Sequence, residues 1–177
     1  HAGTFEIPIV TVNNKNVSGK RNFGNIQDAI GINSKVAERL SGADFDGDTV
    51  VAIPISSKVA VKATAALRDL KDFDPKTAYA VPEGNPNGVR LMKKEEKQKE
   101  MGIISNLITD MTLRGADEKE IARAVKHSMV VIDAEKHKLD YKRSERENGI
   151  QELKKKWQIR VDEDGNEHFG GASTLPV

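Results

Sequence analysis

Asp44-Phe45-Asp46-Gly47-Asp48 places three carboxylates within five residues. Groups of one sign held this close repel one another, and a divalent cation among them removes the repulsion. The donors are hard oxygens with no His or Cys beside them in the sequence, a set that suits Mg²⁺, Mn²⁺ or Ca²⁺ better than Zn²⁺. Gly47 lets the backbone turn tightly between the second and third carboxylates, where a Cβ could obstruct it. A solvated acidic turn has the same composition, so the surrounding sequence must discriminate. A calcium loop of the EF-hand type requires Gly at its sixth position and Glu at its twelfth. Counted from Asp44 these are Thr49 and Ile55, and that reading fails. The DxDxT nucleophile loop of haloacid-dehalogenase phosphatases fits poorly as well. Asp48 stands where Thr is needed, and Arg39-Leu40-Ser41-Gly42-Ala43 is not an apolar strand.

The elements that must position such a loop come from a chain of 177 residues, 37% hydrophobic and 31% charged, enough for one ordinary domain with or without an appendage. Aromatics make up only 5%, so Ile, Val, Leu and Ala must build the core. The absence of Cys excludes disulfides and thiolate metal sites and fits a cytoplasmic protein. No apolar run approaches the ~18–20 residues that span a bilayer, so no membrane partner is expected. The chain opens on His1-Ala2-Gly3, which points to a processed product, a tag remnant or an excised fragment. Net charge is +1, yet residues 90–160 hold 18 Lys/Arg against 13 Asp/Glu. That excess could favour a polyanion, and solvated helix faces produce it equally.

The first half reads as β-rich. Phe5, Ile7 and Ile9 alternate with polar or Pro positions, Val10-Thr11-Val12 continues the strand, and Pro8 marks an edge or bulge. A second short strand is expected over 26–32, and Asn33 or Ser34 should cap a helix reaching Leu40. Thr49 to Pro54 is an apolar run of strand length, so the carboxylates should sit on a turn entering a strand. Lys58 to Leu70 favours helix with Val61, Ala65 and Leu67 on one face, and Asp72 to Gly88 reads as a loop. Met101, Ile104, Ile108 and Met111 place one face on a long helix from Lys93 to Leu113, stopped by Gly115. Asp117 and Glu120 resemble a capping box for the next helix, with Ile121, Val125, Met129 and Ile132 as its buried stripe. A further helix is expected from about Arg146 to Trp157. Asp164-Gly165 should then join Ile159–Val161 to Glu167–Phe169 as a hairpin.

Ala43-Asp44-Phe45-Asp46-Gly47-Asp48 resembles the metal-binding signature of RNA polymerases built on double-psi β-barrels. The signature reads NADFDGD in the large subunit of the cellular enzymes. Related DxDGD forms occur in the eukaryotic silencing polymerases and in single-chain polymerases of phages. Gly42 replaces the usual Asn here, which bears on hydrogen bonding around the ligands rather than on the ligands. Thr49 to Ser56 with the Ala-rich 60–70 stretch is similar to the strand, turn and helix after the signature. His127-Ser128-Met129-Val130-Val131-Ile132-Asp133-Ala134-Glu135-Lys136 is similar, more loosely, to an HS-x-AVD-x-x-K stretch of the silencing enzymes. The likeness covers residues 40–137, and the hexapeptide is its most specific part.

The resemblance implies that Asp44, Asp46 and Asp48 are catalytic and hold Mg²⁺, with Mn²⁺ as a substitute. It implies a second Mg²⁺ arriving with a nucleoside triphosphate, and nucleotidyl transfer to an RNA 3′-hydroxyl on a nucleic-acid template. Phe45 would pack into the barrel. Arg39 could reach a triphosphate and Lys136 a phosphate or nucleic acid; Arg39 reads equally well, and Lys136 more readily, as a solvated helix residue. His127 reads as a hydrogen-bonded surface histidine, Lys20-Arg21 as loop residues within reach of a backbone phosphate, and Lys154 to Lys156 as a basic helix end. Glu95-Glu96 among Lys93, Lys94, Lys97 and Lys99 reads as intrahelical pairing.

The expected fold class is therefore α+β. A partial double-psi β-barrel with the metal loop (residues 1–57) precedes a helical region (58–157) and a C-terminal β-hairpin and tail (158–177). Polymerases of this class use two barrels, so a second barrel from the same longer chain or a partner would complete the site, and this portion alone would be inactive. The compact spacing after the motif points to a phage or prophage enzyme, placed in host cytoplasm or virion. Two other classes stay open: a non-catalytic, metal-stabilised assembly module, and a Mg²⁺-dependent phosphohydrolase.

Overall fold

A computed structural model of the chain describes residues 7–37, 50, 52–56, 58 and 60–169. It divides into two units, residues 3–66 and residues 67–177.

The second unit is organised around two long helices, α4 (Lys94–Leu113) and α5 (Glu118–His137), packed along one another. Each forms because its ends are satisfied as well as its face. At the start of α4 the Glu96 carboxylate accepts the Lys93 N–H at 3.2 Å. At its other end Gly115, with φ of 75°, takes the left-handed turn that releases the chain. Asp117 then accepts from both Lys119 N and Glu120 N at 2.9 Å, covering two of the free amides that open α5. Lys136 and His137 occupy the last turn of α5, where cations offset the negative end of the helix.

On α4 the expected face is the buried one, with Ile104, Ile108 and Met111 inside and Leu107 beside them. On α5 burial extends round more of the helix. Ala124, Val130, Val131 and Ala134 are fully buried, while Met129 and Ile132 are only half-buried. The reason is position, because α5 packs against α3 (Pro75–Tyr79), α6 (Tyr141–Glu147) and α7 (Ile150–Trp157) as well as α4. Each buried Val or Leu contributes ~1.5–3 kcal/mol relative to exposure. Helix α3 falls inside the stretch expected as loop. Pro75 supplies a preset φ at its first position, and Asp74 caps it from Lys76 N and Thr77 N. Tyr79 O accepts Asp140 N at 2.8 Å, tying α3 to the α5–α6 connection.

The helix expected over 146–157 is two helices. Gly149 breaks it with φ of 60°, and a Cβ there would collide with Arg123 Nη2. Arg123 Nε donates to Asn148 O at 2.8 Å, so the guanidinium occupies the space the glycine leaves. After α7, β1 (Ile159–Val161) pairs antiparallel with β2 (Glu167–Phe169), Arg160 opposite His168. Asp162 closes the turn by accepting from Asp164 N and Asn166 N.

The first unit holds α1 (Val17–Phe23) and α2 (Ser34–Ala37). Asn16 caps α1 through Gly19 N at 2.7 Å, and Asn33 Oδ1 accepts Lys35 N at 3.0 Å at the start of α2. None of the described residues of this unit is buried. The partial double-psi β-barrel is not what forms. The described residues are mainly helical, with one sheet of two short strands, both in the second unit. The strands expected over 7–12 and 26–32 are absent, and Val50 and residues 52–54 form none. Among the described residues Ile7 pairs with Thr64, in an isolated antiparallel bridge reinforced by Ile7 N donating to Thr64 Oγ1. Alternation prepares a strand but does not supply the neighbour whose groups and face it needs. Residues 60–67 are likewise not helical. Thr64 spends its backbone on Ile7, and a helix propensity of a few tenths of a kcal/mol per residue is easily overridden.

Candidate functional site

Asp44, Asp46, Asp48 and Arg39 lie outside the described residues, in the segment 38–49. Around that segment, α2 ends at Ala37 on one side, and Val50 and residues 52–56 are exposed on the other. Donor chemistry is what recommends the loop as a cation site. Three carboxylates in five residues supply hard oxygens and a net negative charge. Among the described residues no group of three or more His, Asp or Glu side chains comes together to hold a metal.

Lys136 is exposed on the last turn of α5. The macrodipole accounts for its position, and its ammonium remains accessible to a phosphate. Lys20 and Arg21 lie in the last turn of α1 rather than in a loop. Lys154, Lys155 and Lys156 end α7 as expected, with Lys156 Nζ 2.6 Å from Glu120 Oε1. Glu96 does not pair within α4. It accepts from Lys93 N and from Arg90, and these bonds, the backbone one first, hold its carboxyl below the usual range.

His127 is not at the surface. It is 4% exposed, between α5 and α6, with Nδ1 3.0 Å from Ser144 Oγ. Burial pushes its pKa down to about 4, against an upward pull from Glu145 and aided by Lys154 and Lys142. The imidazole is therefore neutral at pH 7. Asn148 extends the network, its Nδ2 donating to Ser144 O at 2.9 Å and to the Tyr79 hydroxyl at 3.3 Å. Burial, and next the neighbouring Glu147, raise the Tyr79 phenol above its ordinary value. A serine touching a histidine has the parts of a nucleophile and its base. Ser144 is fully buried, however, so what this group does is satisfy polar atoms inside the helical core. Gln158 Nε2 donating to buried Asp110 Oδ2 at 2.7 Å serves the same end between α4 and the residue after α7.

A surface cleft of about 160 Å³ is lined by Arg68, Asp69, Glu118 and Lys119. Its two cations and two anions cancel, so it offers no preference for a charged ligand. Tyr79, Ser144 and Asn148 escaped sequence reasoning because Tyr79 is 69 residues from Asn148 in the chain, and Ser144 and Asn148, four residues apart, face His127 and Tyr79 from other helices. The one signal was Asn148-Gly149, a turn dipeptide inside an otherwise helical stretch.

The chain matches no protein-family model, no curated protein and no solved structure. Among the described residues no helix is long and apolar enough to cross a membrane.

Proposed function

We propose that the chain is the catalytic metal-binding portion of a templated RNA polymerase of the phage or prophage single-chain kind. On this reading it acts within a longer polypeptide or assembly and is inactive alone. The observation that carries the proposal is Asp44-Phe45-Asp46-Gly47-Asp48, supported by the failure of the EF-hand and DxDxT patterns at the same residues. Asp44, Asp46 and Asp48 hold the ion, Mg²⁺ or Mn²⁺, and Gly47 allows the turn between them. When bound, the metal supplies charge neutralisation and acidifies the RNA 3′-hydroxyl. The protein's part is to fix the carboxylates and the substrates, because phosphoryl transfer depends mostly on positioning and electrostatics. Arg39 and Lys136 are assigned to phosphate contact, on the triphosphate and the nucleic acid respectively. The partners are template, RNA product, nucleoside triphosphates and a lysine-bearing region outside this chain; the location is host cytoplasm or virion.

Primer extension by the full-length protein or complete assembly tests this. Extension with Mg²⁺ that Asp46→Ala abolishes is expected. Release of inorganic phosphate from nucleotides without extension would replace it with the phosphohydrolase reading. Loss of neither activity in Asp46→Ala would leave the loop no catalytic role.

A further inference from the structure

The sequence contains Asn followed by Gly at two places, Asn87-Gly88 and Asn148-Gly149. The dipeptides are chemically alike, and the fold treats them oppositely. Asn87 is exposed in the connection between α3 and α4, and among the described residues nothing hydrogen-bonds its side chain. Gly88 is exposed as well, with φ of 59° and open space where a Cβ would project. The ends of this turn are pinned by Asn85, whose side chain donates to Val89 O and accepts Val89 N. Asn148 is 7% exposed, and its Nδ2 donates to Ser144 O, Ser144 Oγ and the Tyr79 hydroxyl. Its carbonyl accepts Arg123 Nε, and the Gly149 N–H donates to Arg146 O.

We infer that Asn87 is a site of spontaneous deamidation through Gly88, and that the fold suppresses the same reaction at Asn148. The Gly88 nitrogen attacks Asn87 Cγ, forming an N–C bond. The Cγ–Nδ2 bond breaks, and ammonia departs with the proton that Gly88 N loses. The resulting succinimide takes up one water at either carbonyl, leaving aspartate or isoaspartate, with no change in oxidation state. Gly88 favours this because it has no Cβ to hinder the approach of its nitrogen. One exposed hydrogen bond, Gly88 N to Asn85 O at 3.0 Å, has to open first. At Asn148 the corresponding motion would break the α6–α7 junction and strip the amide of its buried partners. The product at residue 87 carries a new negative charge in the connection that also holds Glu83. Its isoaspartyl form also adds a backbone carbon to a turn whose ends Asn85 holds in place.

The test is peptide mapping of the intact chain aged at mildly alkaline pH, with isoaspartyl methylation as a second readout. A sample aged in strong denaturant gives the intrinsic rates. In denaturant the two sites should convert at similar rates. In the native protein Asn87 should convert at least about tenfold faster than Asn148, the ratio that only ~1.4 kcal/mol of extra opening free energy produces. Asn87→Gln should remove nearly all native-state methylation. Equal native rates at the two sites, faster loss at Asn148, or no native conversion at Asn87 while the denatured chain converts would each overturn the inference.

Discussion

The two units use the same apolar residue types and give them opposite fates. Val130 and Val131 on α5 are 0% exposed, whereas Ile9 and Val12 in the first unit are 52% and 80% exposed. Intrinsic hydrophobicity cannot separate them; the availability of a facing surface does. Helices α4 and α5 carry complementary faces within one hairpin, joined by the short connection from Arg114 to Asp117. Between described residues, the alternating segment at the start of the first unit finds the Ile7–Thr64 bridge and no longer ladder. Among the described residues burial is confined to the helical unit, where no group of three or more His, Asp or Glu side chains comes together, while the candidate chemistry lies in the other.

Substitutions sharpen this contrast. Leu107→Ala, at a fully buried position on α4, should lower unfolding free energy by ~2–5 kcal/mol in denaturant titration. A loss under 1 kcal/mol would show that the core is loosely packed. Acid should act on the same unit through His127. Its folded pKa of about 4 lies below the free value of 6.5, so the unfolded chain binds the proton first. Stability is then full above pH 6.5, declines as pH falls, and has lost roughly 3 kcal/mol by pH 4. His127→Asn can keep a hydrogen bond to Ser144 without a titrating ring, so its pH profile should be flatter than wild type over that window. Parallel profiles would refute the assignment.

Smaller effects are expected at backbone sites. Gly149→Ala should cost ~1–3 kcal/mol, because the position needs positive φ and Arg123 fills the space. Asp117→Ala should cost ~1 kcal/mol through loss of the α5 cap. Ile9→Ala, in the first unit, should change unfolding by less than ~0.5 kcal/mol. A loss comparable to that of Leu107→Ala would contradict the contrast between the units.

Local signals made the helical unit readable. The Met101–Met111 spacing marked α4, Asp117 marked the start of α5, and Asp164-Gly165 marked the hairpin turn. What failed required knowledge of partners. Strand alternation at 7–12 specified no neighbour, and the break at Gly149 depends on a guanidinium from a helix 26 residues earlier. His127 looked like a surface residue between Lys126 and Ser128, but burial of α5 on several sides put it inside. The acidic loop stood out as a candidate cation-binding set through residue type and spacing, and it lies outside the described residues. Its geometry is another matter, since three carboxylates at alternate positions specify donors without specifying where the side chains point.

A Mn²⁺ titration of the chain, followed by electron paramagnetic resonance, therefore bears most directly on the proposed function. Asp44, Asp46 and Asp48 together should bind a single ion, with affinity that falls steeply in Asp46→Ala and vanishes in the triple alanine variant, while the helical circular dichroism is unchanged. Mn²⁺ binding that is the same in wild type and the triple variant would mean that the three carboxylates do not share an ion.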